Sequence, residues 1–145
     1  MKSIFKKICI ASDHAGFKIK EIIKDYLIKN NLSIIDLGPN ELKSVDYPDY
    51  AKKVSSRIKS KKNDVGILVC GSGTGMAISA NKFKGVRAAV CYNSASTRLS
   101  RKHNNANIIA LGSRLANKNN ILKMIKIFLN TKFEGGRHLR RIKKI

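Results

Sequence analysis

The sequence has few of the features of a stapled, secreted or membrane-embedded protein. Its 145 residues include three cysteines, Cys9, Cys70 and Cys91, an odd number with no CxxC pair. This argues against a disulfide framework and a zinc knuckle. The N-terminus lacks the apolar core of a signal peptide, and no apolar run approaches the ~18 residues of a membrane helix. We expect a single domain over 1–145 that buries a proper core and lies in a reducing cytoplasm, away from membranes.

Acidic side chains are also scarce, with 9 Asp and Glu against 30 Lys and Arg and a net charge of +21. Such a charge is typical of nucleic-acid-binding proteins. However, the lysines are spread along every predicted helix, as on solvated faces, and they outnumber the arginines that base readout favours. We therefore expect no specific nucleic-acid binding and only weak, non-specific binding at low salt. The lysines interpreted as solvated on the first predicted helix are Lys18, Lys20, Lys24 and Lys29.

One apolar run, from Val65 to Cys70, ends in a loop with three alternating glycines. The run predicts a buried parallel strand, and a helical pattern follows from Met76. A thiol at that point lies beside bare backbone N–H groups and a helix N-terminus, which bind anions and favour the thiolate. A buried structural cysteine before a tight turn is the alternative. The glycines favour a site, because they bring backbone close to something other than a side chain.

The same loop lacks both common nucleotide-binding motifs. A P-loop requires a lysine after its last glycine, and Met76 follows Gly75. A dinucleotide fingerprint has another glycine spacing and an acidic residue about 20 positions on, whereas no Asp or Glu occurs between Asp64 and Glu134. We therefore expect a small anionic ligand at this loop.

Strand and helix patterns alternate along the whole chain. Strict alternation predicts an α/β fold in which a five-stranded parallel sheet lies between helices, a Rossmann-like three-layer sandwich. We expect Asp49 to cap the second helix. The predicted strands cover 7–12, 33–36, 65–70, 87–90 and 107–111, and the predicted helices cover 17–29, 49–59, 74–82, 94–103 and 117–129.

Several polar side chains come directly after predicted strands, and in such a sheet ligands bind outside the carboxyl ends of the strands. Asp13 and His14 follow the first strand, Cys70 ends the third, and Arg114 follows the fifth. An aspartate, a histidine, a thiol and an arginine at one edge form a set with catalytic character. Taken singly, Asp13 is equally explained as a helix cap and Arg114 as a surface residue. Tyr92 and Asn93 follow the fourth strand.

The other cysteines and histidines do not extend this set. A metal site is poorly supported, because His103 and His138 lie elsewhere in the chain and few carboxylates are available. Cys9 and Cys91 are assigned to predicted strands, where we expect a buried structural role.

The C-terminal segment, about 132–145, is strongly basic. Arg137 and Arg141 are four residues apart and share a face if Gly136 precedes a helix. Two arginines on one face can grip a phosphate dianion. From these residues alone, a solubilising tail is the favoured alternative.

Seven short motifs occur in the order found in type B ribose-5-phosphate isomerases, and the chain resembles that family from about Ile8 to Arg141. The family also includes galactose-6-phosphate and allose-6-phosphate isomerases. Each motif alone is weak, but their combination is highly specific. The motifs are Ala11-Ser-Asp-His-Ala-Gly-Phe17, Asp46-Tyr-Pro48, Cys70-Gly-Ser-Gly-Thr-Gly75, Ala80-Asn-Lys-Phe83, His103-Asn104, Leu111-Gly-Ser-Arg114 and Gly135-Gly-Arg-His138.

The resemblance implies interconversion of ribose 5-phosphate and ribulose 5-phosphate through an enediolate, without a cofactor or metal. It makes Cys70 the base that moves a proton between C1 and C2, and His103 the acid and base of ring opening. Ser72 and the N–H groups of the loop glycines would stabilise the enediolate oxygen. The substrate-binding residues that it implies are Asp13 and Asn104 for hydroxyls, His14, Arg114, Arg137 and Arg141 for phosphate and hydroxyls, and Tyr47, Gly71, Gly73, Thr74 and Gly75 in the motifs around them.

Two family differences bear on the substrate. One branch replaces the cysteine and uses a glutamate six positions later, whereas this chain has Cys70 and Met76. In galactose-6-phosphate isomerases the motifs are divided between two different subunits, whereas here one chain carries them all. The resemblance therefore favours a self-sufficient homo-oligomer acting on a pentose phosphate. The alternatives are a hexose-6-phosphate isomerase, because pocket depth sets sugar length, and a non-catalytic basic binding protein.

The strand argument separates the implied catalytic residues. Cys70 lies at the carboxyl edge of the predicted sheet, whereas His103 and Asn104 end a returning helix near the amino edge. A strand of about five residues separates the edges by about 16 Å. We therefore expect a homodimer, with pairing into tetramers left open, in which His103 and Asn104 reach a partner's Cys70. A bent fourth helix that returns His103 to its own site is the alternative.

Overall fold

The computed structural model describes residues 1–61 and 63–145 and has the predicted alternation of strands and helices. Five strands and six helices occur among the described residues. In chain order they are β1 (Lys7–Ser12), α1 (Phe17–Lys29), β2 (Ile34–Asp36), α2 (Tyr47–Ile58), β3 (Asp64–Cys70), α3 (Thr74–Ala80), β4 (Ala88–Val90), α4 (Ser94–Asn104), β5 (Ile108–Gly112), α5 (Lys118–Asn130) and α6 (Arg137–Ile142).

The five strands form one parallel sheet in the order β2-β1-β3-β5-β4. The central strand β3 pairs with β1 and β5, and all seven of its residues are buried. After Asp64 the strand has no charged side chain, because helices cover both sheet faces. The predicted Rossmann-like three-layer sandwich is therefore confirmed.

The two faces of the sheet have separate apolar cores. On one face, α2 and α3 pack over Cys9, Leu68 and Ile108. On the other, α1 and α5 pack over Ile10 and Ile67, with α4 beside α5. The first face also includes Cys70, so the side chain of this cysteine lies on the side of α2 and α3.

Two helices differ from the prediction in ways that affect the candidate site, and the bounds of α3, α4 and α5 differ by one or two residues. α2 begins at Tyr47 rather than Asp49, because Pro48 is well suited to the first turn of a helix. Asp46 occupies the N-cap position without a side-chain capping hydrogen bond, so the expected cap by Asp49 is wrong. The C-terminal segment contains a helix of its own, α6, and Gly136 precedes it as the phosphate-grip hypothesis required.

One lysine assigned to a solvated helix face lies in the interior. Lys20 has 0% of its surface exposed, and its Nζ donates to both carboxylate oxygens of Asp36 at 3.0 Å and to the carbonyl of Pro39 at 2.7 Å. The prediction that Lys20 is solvated is wrong, because this ion pair allows the charge to be buried. Through these hydrogen bonds Lys20 links α1 to the end of β2 and to the loop that follows it.

Among residues 1–61 and 63–145, none of the helices is both long and apolar enough to cross a membrane.

Candidate active site

The thiol of Cys70 lies at the carboxyl end of β3, below the glycine loop. Its side chain is almost buried, with 4% of the residue exposed. The backbone N–H of Gly73 donates to the Cys70 Sγ at 3.1 Å. Gly73 has a φ of +80°, a conformation that favours glycine and that turns its N–H back towards the sulfur. This hydrogen bond holds the sulfur at a fixed position beneath the loop.

Two predicted binding residues lie directly against this loop. A β-carbon on Gly71 would come within 2.7 Å of the Arg114 guanidinium, and one on Gly75 would come within 2.7 Å of the Tyr47 ring. These contacts need the bare backbone of glycine. Ser72 and Thr74 are exposed in the same loop, and the Thr74 N–H donates to the Ser72 hydroxyl at 3.3 Å.

Asp13 and His14 adjoin the loop from β1. The Asp13 N–H donates to the carbonyl of Val69 at 3.1 Å, which places Asp13 next to the end of β3. One Asp13 carboxylate oxygen accepts the Gly16 N–H at 2.9 Å, so the residue also supports the start of α1. His14 is exposed and contacts the backbone of Val45 at 3.2 Å through Nδ1. The carboxyl edge therefore gathers a thiol, a carboxylate, an imidazole and a guanidinium.

His103 and Asn104 lie at the opposite edge of the sheet. They end α4, which starts at the carboxyl edge, where the Asn93 side chain and Ser96 form a capping box. The carbonyl of Asn104 accepts a hydrogen bond at 3.0 Å from Arg87, the residue just before β4. Along β5, about 13 Å separates the amino end from the carboxyl end that pairs with Cys70. The prediction that α4 ends at the sheet edge opposite Cys70 is confirmed.

The basic tail is anchored to the same end of α4. The Glu134 N–H donates to the carbonyl of Lys102 at 3.1 Å, and the Lys102 ammonium lies 3.0 Å from the Glu134 carboxylate. These contacts place α6 against α4. A pocket of about 280 Å³ opens there, and its lining includes His103, Asn104, His138 and Arg141. The tail therefore joins His103 and not Cys70 of its own chain.

Two residues of this second group were not among the predicted site residues. The rings of His103 and His138 stack with centroids 4.2 Å apart and planes 13° apart. The Glu134 Oε2 lies 3.9 Å from the Nε2 of His103 and 3.8 Å from that of His138. Both histidines lie away from the carboxyl-edge residues, as expected, but their contact with each other was not predicted. The spacing of Glu134 and His138, four residues apart, was the available signal.

The cluster of His103, Glu134 and His138 is better suited to orienting His103 than to binding a metal ion. Its three donor atoms lie within 4.8 Å of one another. However, nearly parallel rings direct their nitrogen lone pairs along parallel planes, whereas a metal needs converging ligands about 2 Å from the ion. The carboxylate is also paired with Lys102.

The remaining cysteines have the structural role expected of them. Cys9 lies in β1 as predicted, whereas Cys91 comes directly after β4 and not within a strand; both are buried. Burial raises the pKa of each thiol, so both stay protonated at neutral pH. Tyr92, the residue after Cys91, is exposed.

Comparison with known proteins gives close and extensive likenesses. The model of the Ribose/Galactose Isomerase family matches residues 8–145. Ribose-5-phosphate isomerase B of Escherichia coli is 40% identical over 140 residues, which cover 97% of this chain and 94% of the relative.

Two solved structures share the fold over nearly their whole length. The crystal structure of ribose-5-phosphate isomerase B from Mycoplasma genitalium with bound ribulose-5-phosphate has a TM-score of 0.93 and 44% identity, with 95% of this chain and 92% of that chain covered. The enzyme from Thermotoga maritima has a TM-score of 0.93 and 51% identity, with 95% of each chain covered.

The parallel sandwich, the thiol loop at its carboxyl edge and these likenesses place the protein among the sugar-phosphate isomerases. The chain belongs to the ribose/galactose isomerase family.

Proposed function

We propose that this protein interconverts ribose 5-phosphate and ribulose 5-phosphate through an enediolate, with Cys70 moving the proton between C1 and C2. The observation that carries the proposal is the Cys70 thiol beneath a loop whose Gly73 N–H points at it, in a chain of this family. The Mycoplasma genitalium relative has been crystallised with ribulose-5-phosphate. The reaction moves a proton and needs no electron acceptor.

The glycine loop suits the charge that develops during the proton transfer. As Cys70 removes the proton, negative charge builds on the substrate oxygen. The N–H groups of Gly71 and Gly75 and the Ser72 hydroxyl are the donors that we assign to it, with Thr74 beside them. Donors fixed before the reaction stabilise the enediolate more than the neutral sugar, and this difference accelerates the reaction.

The same edge supplies groups for the rest of the sugar. We assign Asp13 to a sugar hydroxyl and His14 and Arg114 to the phosphate or a neighbouring hydroxyl. The ring of Tyr47, packed on Gly75, forms a wall of this half-site.

The residues for ring opening and the remaining phosphate contacts form a second half-site at the other edge. We assign ring opening to His103, a sugar hydroxyl to Asn104, and the phosphate to Arg137 and Arg141. Segment 132–145 then completes the site rather than serving as a solubilising tail. The two half-sites of one chain are about 13 Å apart along the sheet. One pentose phosphate therefore needs half-sites from two chains.

A homodimer through the β4 edge would join them. β4 is an outer strand, and the helices on either side of it, α3 and α4, expose the apolar side chains of Ile78 and Leu99. An apolar surface of this kind favours a partner. A two-fold axis perpendicular to the strands makes the paired chains run in opposite directions, so the carboxyl edge of one meets the amino edge of the other.

The proposed setting follows from the thiols. All three cysteines are free. A catalytic thiol must stay reduced, and we therefore place the enzyme in the cytoplasm.

A coupled assay with three phosphosugars tests the proposal. Purified protein should convert ribose 5-phosphate much faster than allose 6-phosphate or galactose 6-phosphate. Cys70→Ala should lower kcat by about 10²–10⁴-fold, as expected for loss of a positioned base, while the fold is retained. Preference for a hexose phosphate would establish the alternative substrate, and near-normal turnover by Cys70→Ala would remove the assignment of the base.

A further inference from the structure

His103 lies on a rigid aromatic support. Its ring stacks on that of His138 at a centroid distance of 4.2 Å. The His138 side chain is 11% exposed, whereas that of His103 is 37% exposed. The buried ring is held by packing and the exposed ring faces the pocket. A stacked partner limits the rotamers that an exposed imidazole can occupy.

A carboxylate faces the same edge of both rings. Glu134 Oε2 lies just under 4 Å from each Nε2, too far for a hydrogen bond but close enough for charge attraction. Glu134 is itself fixed by Lys102, the residue before His103, through its backbone N–H and its carboxylate. When His103 is protonated, the Glu134 carboxylate compensates its charge, and Lys102 of the same helix holds that carboxylate in place.

The charges around the stack favour a neutral His138. Burial lowers the pKa of His138, and the nearby His103, Arg137 and Arg141 lower it further, against the opposing effect of Glu134. Because His138 is neutral, a protonated His103 is not repelled by a second charged ring 4.2 Å away. Two other cations lie in the last turn of α4: Lys102 is paired with Glu134, and the buried guanidinium of Arg101 donates to the carbonyls of Thr131 and Ala106.

We propose that His138 is a positioning residue for ring opening, which holds the imidazole of His103 in its working orientation by stacking while Glu134 compensates the charge of its protonated form. The proposal rests on the proposed function, because it assumes that His103 opens the sugar ring. His138 does not need to touch the substrate in this role.

The test separates ring opening from proton transfer. Ribose 5-phosphate is mainly a closed ring, whereas ribulose 5-phosphate is acyclic, since its C5 hydroxyl carries the phosphate. Exchange of a C1 deuterium of ribulose 5-phosphate with solvent needs proton removal by Cys70 but no ring opening. Measurement of this exchange beside kcat on ribose 5-phosphate therefore distinguishes a defect at His103 from general damage to the protein.

The informative variants are His138→Phe, His138→Leu and Glu134→Gln. His138→Leu should lower kcat on ribose 5-phosphate about tenfold or more, less than the ~10²–10⁴-fold range for loss of a general acid. KM and deuterium exchange should stay within about twofold of wild type. His138→Phe keeps an aromatic ring in the stack and should recover most of kcat. Glu134→Gln should lower kcat several-fold, again with exchange retained.

Unchanged kcat in His138→Leu, or an equal loss of kcat and exchange, would overturn the proposal. Failure of His138→Phe to recover more kcat than His138→Leu would overturn it as well. A wild-type protein that neither isomerises ribose 5-phosphate nor exchanges the C1 deuterium would instead overturn the proposed function. The melting temperature of each variant confirms that the comparison is made on folded protein.

Discussion

The guanidinium of Arg114 occupies the space that a side chain at residue 71 would fill. A β-carbon on Gly71 would come within 2.7 Å of Nη1, and the backbone N–H of Arg114 donates to the Gly71 carbonyl at 3.1 Å. The loop that carries the thiol therefore also fixes the position of the cation. An anion bound at Arg114 is thereby placed at a defined distance from Cys70.

Gly71→Ala should displace the Arg114 side chain while leaving the Gly71 N–H in place. We expect KM for ribose 5-phosphate to rise about tenfold, the size of a weakened charged hydrogen bond, with little change in kcat. Arg114→Ala should raise KM at least as much. In the double variant the two effects should be strongly non-additive, because both remove the same contact. Additive effects on KM would show that Gly71 acts independently of Arg114.

The three thiols should differ in reactivity although all three are buried. Burial raises the pKa of Cys9 and Cys91, so little of either is thiolate at pH 7.5. Iodoacetamide should therefore modify Cys70 first, inactivation should follow that modification, and ribose 5-phosphate should slow it. Mass spectrometry of the labelled peptides measures each rate. Faster labelling of Cys9 or Cys91 in folded protein would contradict the assignment.

The sequence was sufficient for the architecture and for the thiol loop. The apolar run 65–70 has no interpretation other than a buried segment, and the glycines after it restrict what can follow. The separation of Cys70 from His103 also followed from connectivity, because a returning helix ends at the edge opposite to its start. These features could be predicted because the apolar run, the glycines and the order of elements are properties of neighbouring residues in the chain.

The errors concern contacts made between distant segments. Lys20 has the sequence context of a solvated lysine, and only the position of Asp36 in the next strand explains its burial. The stack of His103 on His138 forms because the tail folds back onto α4. Neither pairing has a local signal, since residues 16 and 35 positions apart meet only through tertiary packing.

Lys20→Ala should remove the fully buried partner of the Asp36 carboxylate, which still pairs with the ammonium of Lys24. We expect a loss of about 1.5–3 kcal/mol in the free energy of unfolding, the range for loss of a hydrogen bond to a charged group. Lys18→Ala, an exposed change on the same helix, should alter stability by less than about 0.5 kcal/mol. Urea denaturation measures both. Similar losses in the two variants would show that the ion pair does not stabilise the fold.

The pH dependence of that difference follows from Asp36. Burial alone would raise its pKa, but hydrogen bonds from Lys24, the Gly38 N–H and Lys20 outweigh burial and hold the pKa below its ordinary value. The contribution is therefore complete above about pH 4 and is lost as the pH falls through the folded-state value. The stability gap between wild type and Lys20→Ala should narrow below that range.

Arg137→Ala and Arg141→Ala should mainly raise KM for ribose 5-phosphate. A phosphate remote from C1 and C2 contributes similar binding energy in the ground and transition states, so kcat should change little. Arg140→Ala removes an equal charge from the same helix and is the matched control; its KM should stay near the wild-type value. Equal effects of all three changes would indicate a general effect of tail charge.

Subunit mixing tests whether the site is shared. Cys70→Ala and His103→Ala should each be nearly inactive alone. If His103 serves the partner's Cys70, a heterodimer of the two variants contains one site with both residues intact and one site with neither. Each heterodimer should then recover about half the activity of a wild-type dimer. If each chain uses its own histidine, both sites of the heterodimer lack one residue and no activity returns.

The control for this experiment is a mixture of Cys70→Ala with the double variant Cys70→Ala/His103→Ala. No combination of these chains restores a thiol, so activity should stay at the level of Cys70→Ala in either arrangement. Differently tagged chains and purification through both tags establish that exchange has occurred. The heterodimer of a Cys70→Ala chain with a His103→Ala chain should be active, and the control should not. Such a result requires that the sugar lie between two chains, as the 13 Å separation of the half-sites along β5 implies. Its absence after confirmed exchange would mean that α4 moves to bring His103 to its own Cys70.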